Sequence, residues 1–139
     1  MAAAKPEEDL LHSVIGAFYE VYNYLGFGFL EHHYVTALED ELRQRGHFFG
    51  REVGVVVRYK HLVLGRLRLD MLVDEKLVVE TKSTLFLHSS ASRQIYNYLR
   101  ATNLEIGLLL HFGARPAFYR VICRTAKKNG KHSHHSEHG

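Results

Sequence analysis

The chain has 139 residues, 46% of them hydrophobic and 24% charged, with 18 Lys and Arg against 15 Asp and Glu. That length suits one domain with a true core and is short for two. No apolar run nears the roughly 20 residues that cross a bilayer, the opening MAAAKPEEDLLHS lacks a signal-peptide pattern, and the lone Cys123 excludes an internal disulfide framework or a multi-cysteine zinc site, so a cytoplasmic protein is expected.

The net charge of +3 is a weak sign of a polyanionic partner, because residues 124–139 carry four basic groups and one acidic group and so supply all of it. The body is polarised instead: residues 1–50 hold three basic and eight acidic groups, residues 51–123 eleven and six. A basic second half can face a polyanion or can be an ordinary solvated surface.

Residues 7–25 place apolar side chains at 10, 11, 14, 15, 18, 21, 22 and 25, the spacing of an amphipathic helix, behind an acidic first turn of Glu7, Glu8 and Asp9. GFG at 26–28 breaks it, and FLEHHYVTALEDELRQRG reads as a second helix ending at Gly46. The neighbouring His32 and His33 point apart on a helix and read as surface residues, not a ligand pair. From Arg51 the pattern turns to alternation in REVGVVVRYK, followed by a hairpin, RLDMLVDEKLVVETKST. SSASRQIYNYLRAT reads as a helix capped by Ser89 or Ser90. LEIGLLLHF reads as a strand buried on both faces, and PAFYRVIC as a last strand after the GARP turn. The order is ααβββαββ, an α/β domain over residues 1–123 with helices against a mixed sheet. Residues 124–139 lack periodicity and are expected to be a disordered His- and Lys-rich tail. Its four histidines could chelate a transition metal loosely, but a solvated tail is the simpler reading.

The hairpin carries the chemistry. Along its first strand Leu67, Leu69, Met71 and Val73 share one face, expected to be core, and Arg66, Arg68, Asp70 and Leu72 the other. On the second strand Lys76, Val78, Glu80 and Lys82 lie together. A two-residue turn at Asp74 and Glu75 would pair Asp70 with Val79, whereas a three-residue turn with Val73 opposite Leu77 puts Asp70 across from Glu80, about 5 Å apart at Cβ. The residues alone leave both registers open.

Asp followed by Glu-x-Lys on the next strand suits metal-dependent phosphodiester cleavage. Two carboxylates can hold a hard divalent ion, Mg²⁺ foremost with Mn²⁺ as a substitute, which activates water and neutralises charge on the transition state. Lys82 on the same face can orient that water or hold the scissile phosphate. The plain structural reading is a cross-strand ion pair of Lys82 with Glu80 or Asp70, an expensive use of three polar groups beside apolar rows.

These blocks resemble the PD-(D/E)XK nuclease superfamily, and Gly28-Phe29-Leu30-Glu31-His32-His33-Tyr34 is similar to the GxxExxY signature of one of its small-protein branches. The resemblance implies a restriction-endonuclease-like fold and requires the register that sets Asp70 against Glu80. It implies catalytic positions at Asp70, Glu80 and Lys82, an acidic position at Glu31 on the helix before the sheet, and Q-x-x-x-Y positions at Gln94 and Tyr98. Asp70, Glu80 and Glu31 would then be the metal carboxylates. Tyr22 stands where that branch usually has His, and LGFG at 25–28 where LGPG is usual. Arg51, Arg58, Lys60, Arg66, Arg68 and Arg93 are candidate phosphate contacts. The expected partner is DNA or RNA, with a homodimer or a specificity-giving protein partner completing recognition. The alternative is a non-catalytic module that keeps the fold and binds nucleic acid or protein.

Overall fold

The structure is a computed structural model that describes residues 6–125, Lys128 and residues 136–137. Helix α1 spans Pro6–Leu25 and α2 Glu31–Gln44, followed by β1 (Phe49–Tyr59), β2 (Leu62–Val73), β3 (Leu77–Lys82), α3 (Arg93–Arg100), β4 (Ile106–Phe112), β5 (Pro116–Ile122) and a two-residue β6 (Ser136–Glu137). The sheet order is β5-β4-β3-β2-β1-β6. Among the described residues only β3 and β4 are parallel, which is why a crossover, built on α3, connects them. All other pairs are antiparallel.

Every residue of β4 is buried, because both faces of the central strands are covered. Met71, Val73, Leu77, Val79, Leu108 and Leu110 pack with the apolar stripes of α1 and α2. Val78, Leu72 and Leu109 pack with Ile95, Tyr98 and Leu99 of α3. A methyl group at Gly107 would collide with the Ile95 side chain, so glycine there lets α3 lie close on β4.

The hairpin uses the three-residue turn: Val73 pairs with Leu77, Leu72 with Val78 and Met71 with Val79. Asp74 and Glu75 adopt φ of 51° and 57° to close it. Asp74 is held by more than its backbone, since its carboxylate accepts from Phe48 N (2.8 Å) and meets His47 Nδ1 (2.7 Å), whose Nε2 meets Ser13 Oγ at 2.6 Å. The chain of bonds ties the turn to α1.

Two expectations change. The helix after the sheet begins at Arg93, not at the SSAS stretch; Ser92 occupies its N-cap position without a side-chain cap bond, and Ser90 Oγ bonds His88 Nδ1 instead. The odd-numbered residues of β2 also do not share one core: Met71 and Val73 join the α1 and α2 side while Leu67 and Leu69 join the α3 side. The ribbon therefore twists between Leu69 and Met71, at Asp70. The disordered tail expected at 124–139 falls mostly outside the described residues; within them, Ser136 and Glu137 pair with Val55 and Gly54 at the free edge of β1. Among the described residues no helix is long and apolar enough to cross a membrane.

Candidate active site

The β2–β3 ladder stops at Met71 and Val79, although β3 continues to Lys82 against β4. Beyond that point the two strands fork, and Asp70 and Glu80 fill the fork. Side chains replace the missing backbone rungs: Asp70 N donates to Glu80 Oε1 (3.2 Å), and Asp70 Oδ2 accepts from both Thr81 N and Thr81 Oγ1, each at 2.7 Å. One oxygen of Asp70 is thus committed to Thr81. Lys82 Nζ lies 4.0 Å from Glu80 Oε2, at the limit of an ion pair.

Glu80 is only 6% exposed. Burial, the adjacent Asp70 carboxylate and its bonding, and Glu31 push its pKa up to about 8 against the opposing pull of Lys82. Glu31 is also raised, chiefly by desolvation and next by Asp70, while Lys82 and the Ser83 N–H act the other way. Three carboxyl groups thus lie within electrostatic reach of one another beside a single lysine, and their repulsion is relieved by the proton that Glu80 keeps at neutral pH.

Glu31 reaches the site because of the turn before it. α1 ends at Leu25, and Gly26 and Gly28 take φ of 71° and 117°, conformations that a side chain disfavours. Tyr34, fully buried one turn into α2, donates to Gly26 O (2.5 Å) and accepts from Phe29 N (3.2 Å). Tyr34 therefore clamps a turn that the positive φ of Gly26 and Gly28 allows, and α2 starts at Glu31. Across the gap, Ser83 Oγ donates to Phe29 O at 2.7 Å. His111, beside Lys82 on β4, donates from Nε2 to Thr84 O at 2.8 Å. These bonds hold the segment that follows Lys82.

A cleft of about 250 Å³ opens among Glu31, His32, Val35, Thr36, Glu39, Arg51 and Asp70. Glu39 is buried and forms a bidentate pair with Arg51, so the Arg51 fork faces a carboxylate in the cleft wall. Of the other basic residues, Arg58, Lys60, Arg66 and Arg68 lie on the β1–β2 hairpin, and exposed Arg93 opens α3. Lys60 sits at the hairpin tip, 5.3 Å from the Tyr59 ring centroid. Gln94 Nε2 donates to Arg68 O (2.8 Å), tying α3 to β2 two residues from Asp70. Tyr98 is fully buried in the α3 core. Tyr22 Oη reaches the carbonyls of Gly113 (2.6 Å) and Ala114 (2.9 Å), joining α1 to the β4–β5 turn. The structure thus gathers Asp70, Glu80, Lys82 and Glu31, sets Gln94 behind them, and leaves Tyr98 in the core.

Thr81, Ser83, His111 and Glu39 were not foreseen. Thr81 had a signal, a hydroxyl among Leu77 and Val79 on an apolar face; the others depend on contacts 12 to 54 residues apart along the chain.

The all-oxygen donor set fits a hard cation, which binds through one or two carboxylates and completes its shell with water and phosphate. Among the described residues no three His, Cys, Asp or Glu groups are gathered closely enough to hold an ion as they stand. The fit is therefore to the Asp70–Glu80 pair with an open remainder, not to a closed cage.

A twisted mixed sheet whose central hairpin forks around Asp70 and Glu80, with Lys82 beside them, defines an α/β protein with an acidic site at a strand fork. The family model described as PD-(D/E)XK nuclease superfamily matches residues 8–121, and the chain belongs to that superfamily. The crystal structure of SSO0001 is similar with a TM-score of 0.46 and 17% identity, over 65% of this chain and 48% of that one, so this chain spans about half the length of that protein. No curated protein matches.

Proposed function

We propose that the protein is a divalent-metal-dependent nuclease of the GxxExxY branch, using Mg²⁺ with Mn²⁺ as a substitute and hydrolysing phosphodiester bonds with water as nucleophile. The observation that carries the reading is the gathering of Asp70, Glu80 and Glu31 around one lysine, with Glu80 raised to about 8. A salt bridge would need one carboxylate, not three. Asp70 and Glu80 would hold the ion, which supplies Lewis acidity toward water and phosphate when bound. Asp70 is held rigidly for this by Thr81, and its second oxygen is the one available to a ligand. Lys82, at the loose end of its contact with Glu80, can swing to a phosphate oxygen or to the attacking water. Glu31 completes the acidic side, and Gln94 positions β2. A cytoplasmic setting, a nucleic-acid substrate, and a second copy or partner protein that adds specificity belong to the same reading.

Incubation with labelled DNA and RNA in Mg²⁺, Mn²⁺ or EDTA tests it. Metal-dependent cleavage should vanish in Glu80→Gln. Lys82→Ala should also abolish cleavage while its Mg²⁺ affinity, read by calorimetry, stays equal or rises, because a competing positive charge is gone. Tight nucleic-acid binding with no cleavage in any metal would favour a non-catalytic module.

A further inference from the structure

The bonds that fix the β2–β3 turn place three reactive side chains in series, away from the fork. Asp74 Oδ2 lies 2.7 Å from His47 Nδ1, and His47 Nε2 lies 2.6 Å from Ser13 Oγ on α1. A carboxylate only accepts, so the ring proton sits on Nδ1 and Nε2 is left to accept from the Ser13 hydroxyl. The other oxygen of Asp74 is held by Phe48 N at 2.8 Å, so bonds at both ends fix the imidazole between turn and helix. A serine inside a helix usually faces solvent or bonds the carbonyl four residues back; Ser13 instead meets a ring nitrogen 34 positions along the chain. Solvent reaches the series, since Ser13 and His47 are only partly buried and the Asp74 side chain is 30% exposed. Arg45 stands beside it. Its Nη1 lies 3.4 Å from Ser13 O and would sit 2.9 Å from a methyl group at Gly16, one turn along the same face of α1. Glycine there leaves the room that the guanidinium fills.

We propose that Ser13, His47 and Asp74 form a second reactive centre, independent of the fork, in which Ser13 takes the acyl group of small activated esters. Ser13 Oγ attacks the carbonyl carbon as its proton moves to His47 Nε2; the bond from that carbon to the departing alkoxide or phenolate breaks, and the proton passes to the leaving oxygen. Asp74 holds the reactive tautomer and stabilises the imidazolium. Arg45 supplies positive charge near Ser13, where the carbonyl oxygen becomes an anion. Backbone N–H donors cannot do so, because Ser13 lies inside α1, where those groups are spent on the helix. The loss of one such donor costs hydrolases about 10²–10³ in rate. The centre therefore takes esters with good leaving groups, and water releases the acid from acyl-Ser13 slowly, returning the proton to the serine.

Diisopropyl fluorophosphate in EDTA, followed by intact-mass spectrometry and peptide mapping, tests the centre with the fork idle. Ser13 Oγ should displace fluoride from phosphorus and give one label on the whole chain. Ser90 is an internal control: its Oγ also meets an imidazole, His88 Nδ1 at 2.7 Å, but no carboxylate bond to that ring is seen among the described residues, so it should label at least about tenfold more slowly. Ser13→Ala should take no label. Labelling should slow about a hundredfold in His47→Gln and about tenfold in Asp74→Asn, with the circular dichroism of the parent retained. Glu80→Gln should label at the parent rate, which separates this centre from the nuclease reading. 4-Nitrophenyl acetate should give a burst of about one equivalent of 4-nitrophenolate that Ser13→Ala lacks. A folded parent without label, equal labelling of Ser13 and Ser90, or an unchanged rate in folded His47→Gln overturns the proposal and leaves the series as a structural tie. Should His47→Gln fail to fold, the ratio of Ser13 to Ser90 labelling in the parent decides.

Discussion

Glu80 holds its proton to about pH 8 in a fold whose unfolded chain would release it near 4.3. Between those values the native state binds more protons than the unfolded state, so stability falls as pH rises through that window. The metal-free protein should therefore melt at a higher temperature at pH 6 than at pH 8.5, by an amount worth a few kcal/mol at most, and Glu80→Gln should flatten the slope. A cation that binds the carboxylate must displace the proton, so at pH 7 its binding should release close to one proton, measurable by calorimetry in two buffers of different ionisation enthalpy. Asp70, Glu80 and Lys82 stand out in the sequence because their residue types break the apolar alternation of the hairpin, whereas Glu31, on a helix, was joined to them by the family resemblance. Thr81 left only the faint signal of a hydroxyl on an apolar face, and Ser83 none, since a serine after a strand is ordinary until the fold shows what its hydroxyl touches.

The helices and strands were legible in order because α1 and α2 carry a period of 3.6 and the early strands one of two, while β4 showed as an unbroken apolar run. The register was not, since it depends on the turn, and the turn places non-glycine residues Asp74 and Glu75 at positive φ. Asp74 recovers the strain through Phe48 and His47; Glu75 is exposed, and no hydrogen bond of its side chain is seen among the described residues. Glu75→Gly should therefore stabilise the protein by up to about 1 kcal/mol, net of the entropy that glycine adds to the unfolded chain. The urea midpoint should rise with the m-value unchanged; a fall would show that Glu75 has a contact worth more than its strain. The twist at Asp70 was hidden for a different reason. Alternation assigns faces only along a flat strand, and this one turns where α3 and the fork draw its two halves to different cores.

At the scale of the molecule, the site lies between two cores whose packing keeps like charges together. Asp70→Asn retains a carbonyl oxygen for Thr81 and removes one charge from the fork. In EDTA the variant should melt at the parent temperature or above, the usual exchange of stability against function. Excess Mg²⁺ should raise the parent melting temperature, by about 2.7 kcal/mol of stabilisation at 100 times the dissociation constant, and do little for the variant. A clear drop in the metal-free variant, with no Mg²⁺ effect on the parent, would instead make the fork a structural ion pair.

The separation of the hairpin from its covering elements also sets an order in time. Asp70 and Glu80 belong to one local hairpin, whose formation takes about 1–10 μs, whereas the burial of Glu80 waits for the parallel β3–β4 pairing, which closes only after the α3 crossover. The carboxylates thus meet while still hydrated and lose their water late. A cation that rewards the finished site acts after the folding barrier, so saturating Mg²⁺ should slow unfolding severalfold in a chevron experiment and leave refolding within about twofold. The bound ion would set the lifetime of the native protein more than the speed at which it is made.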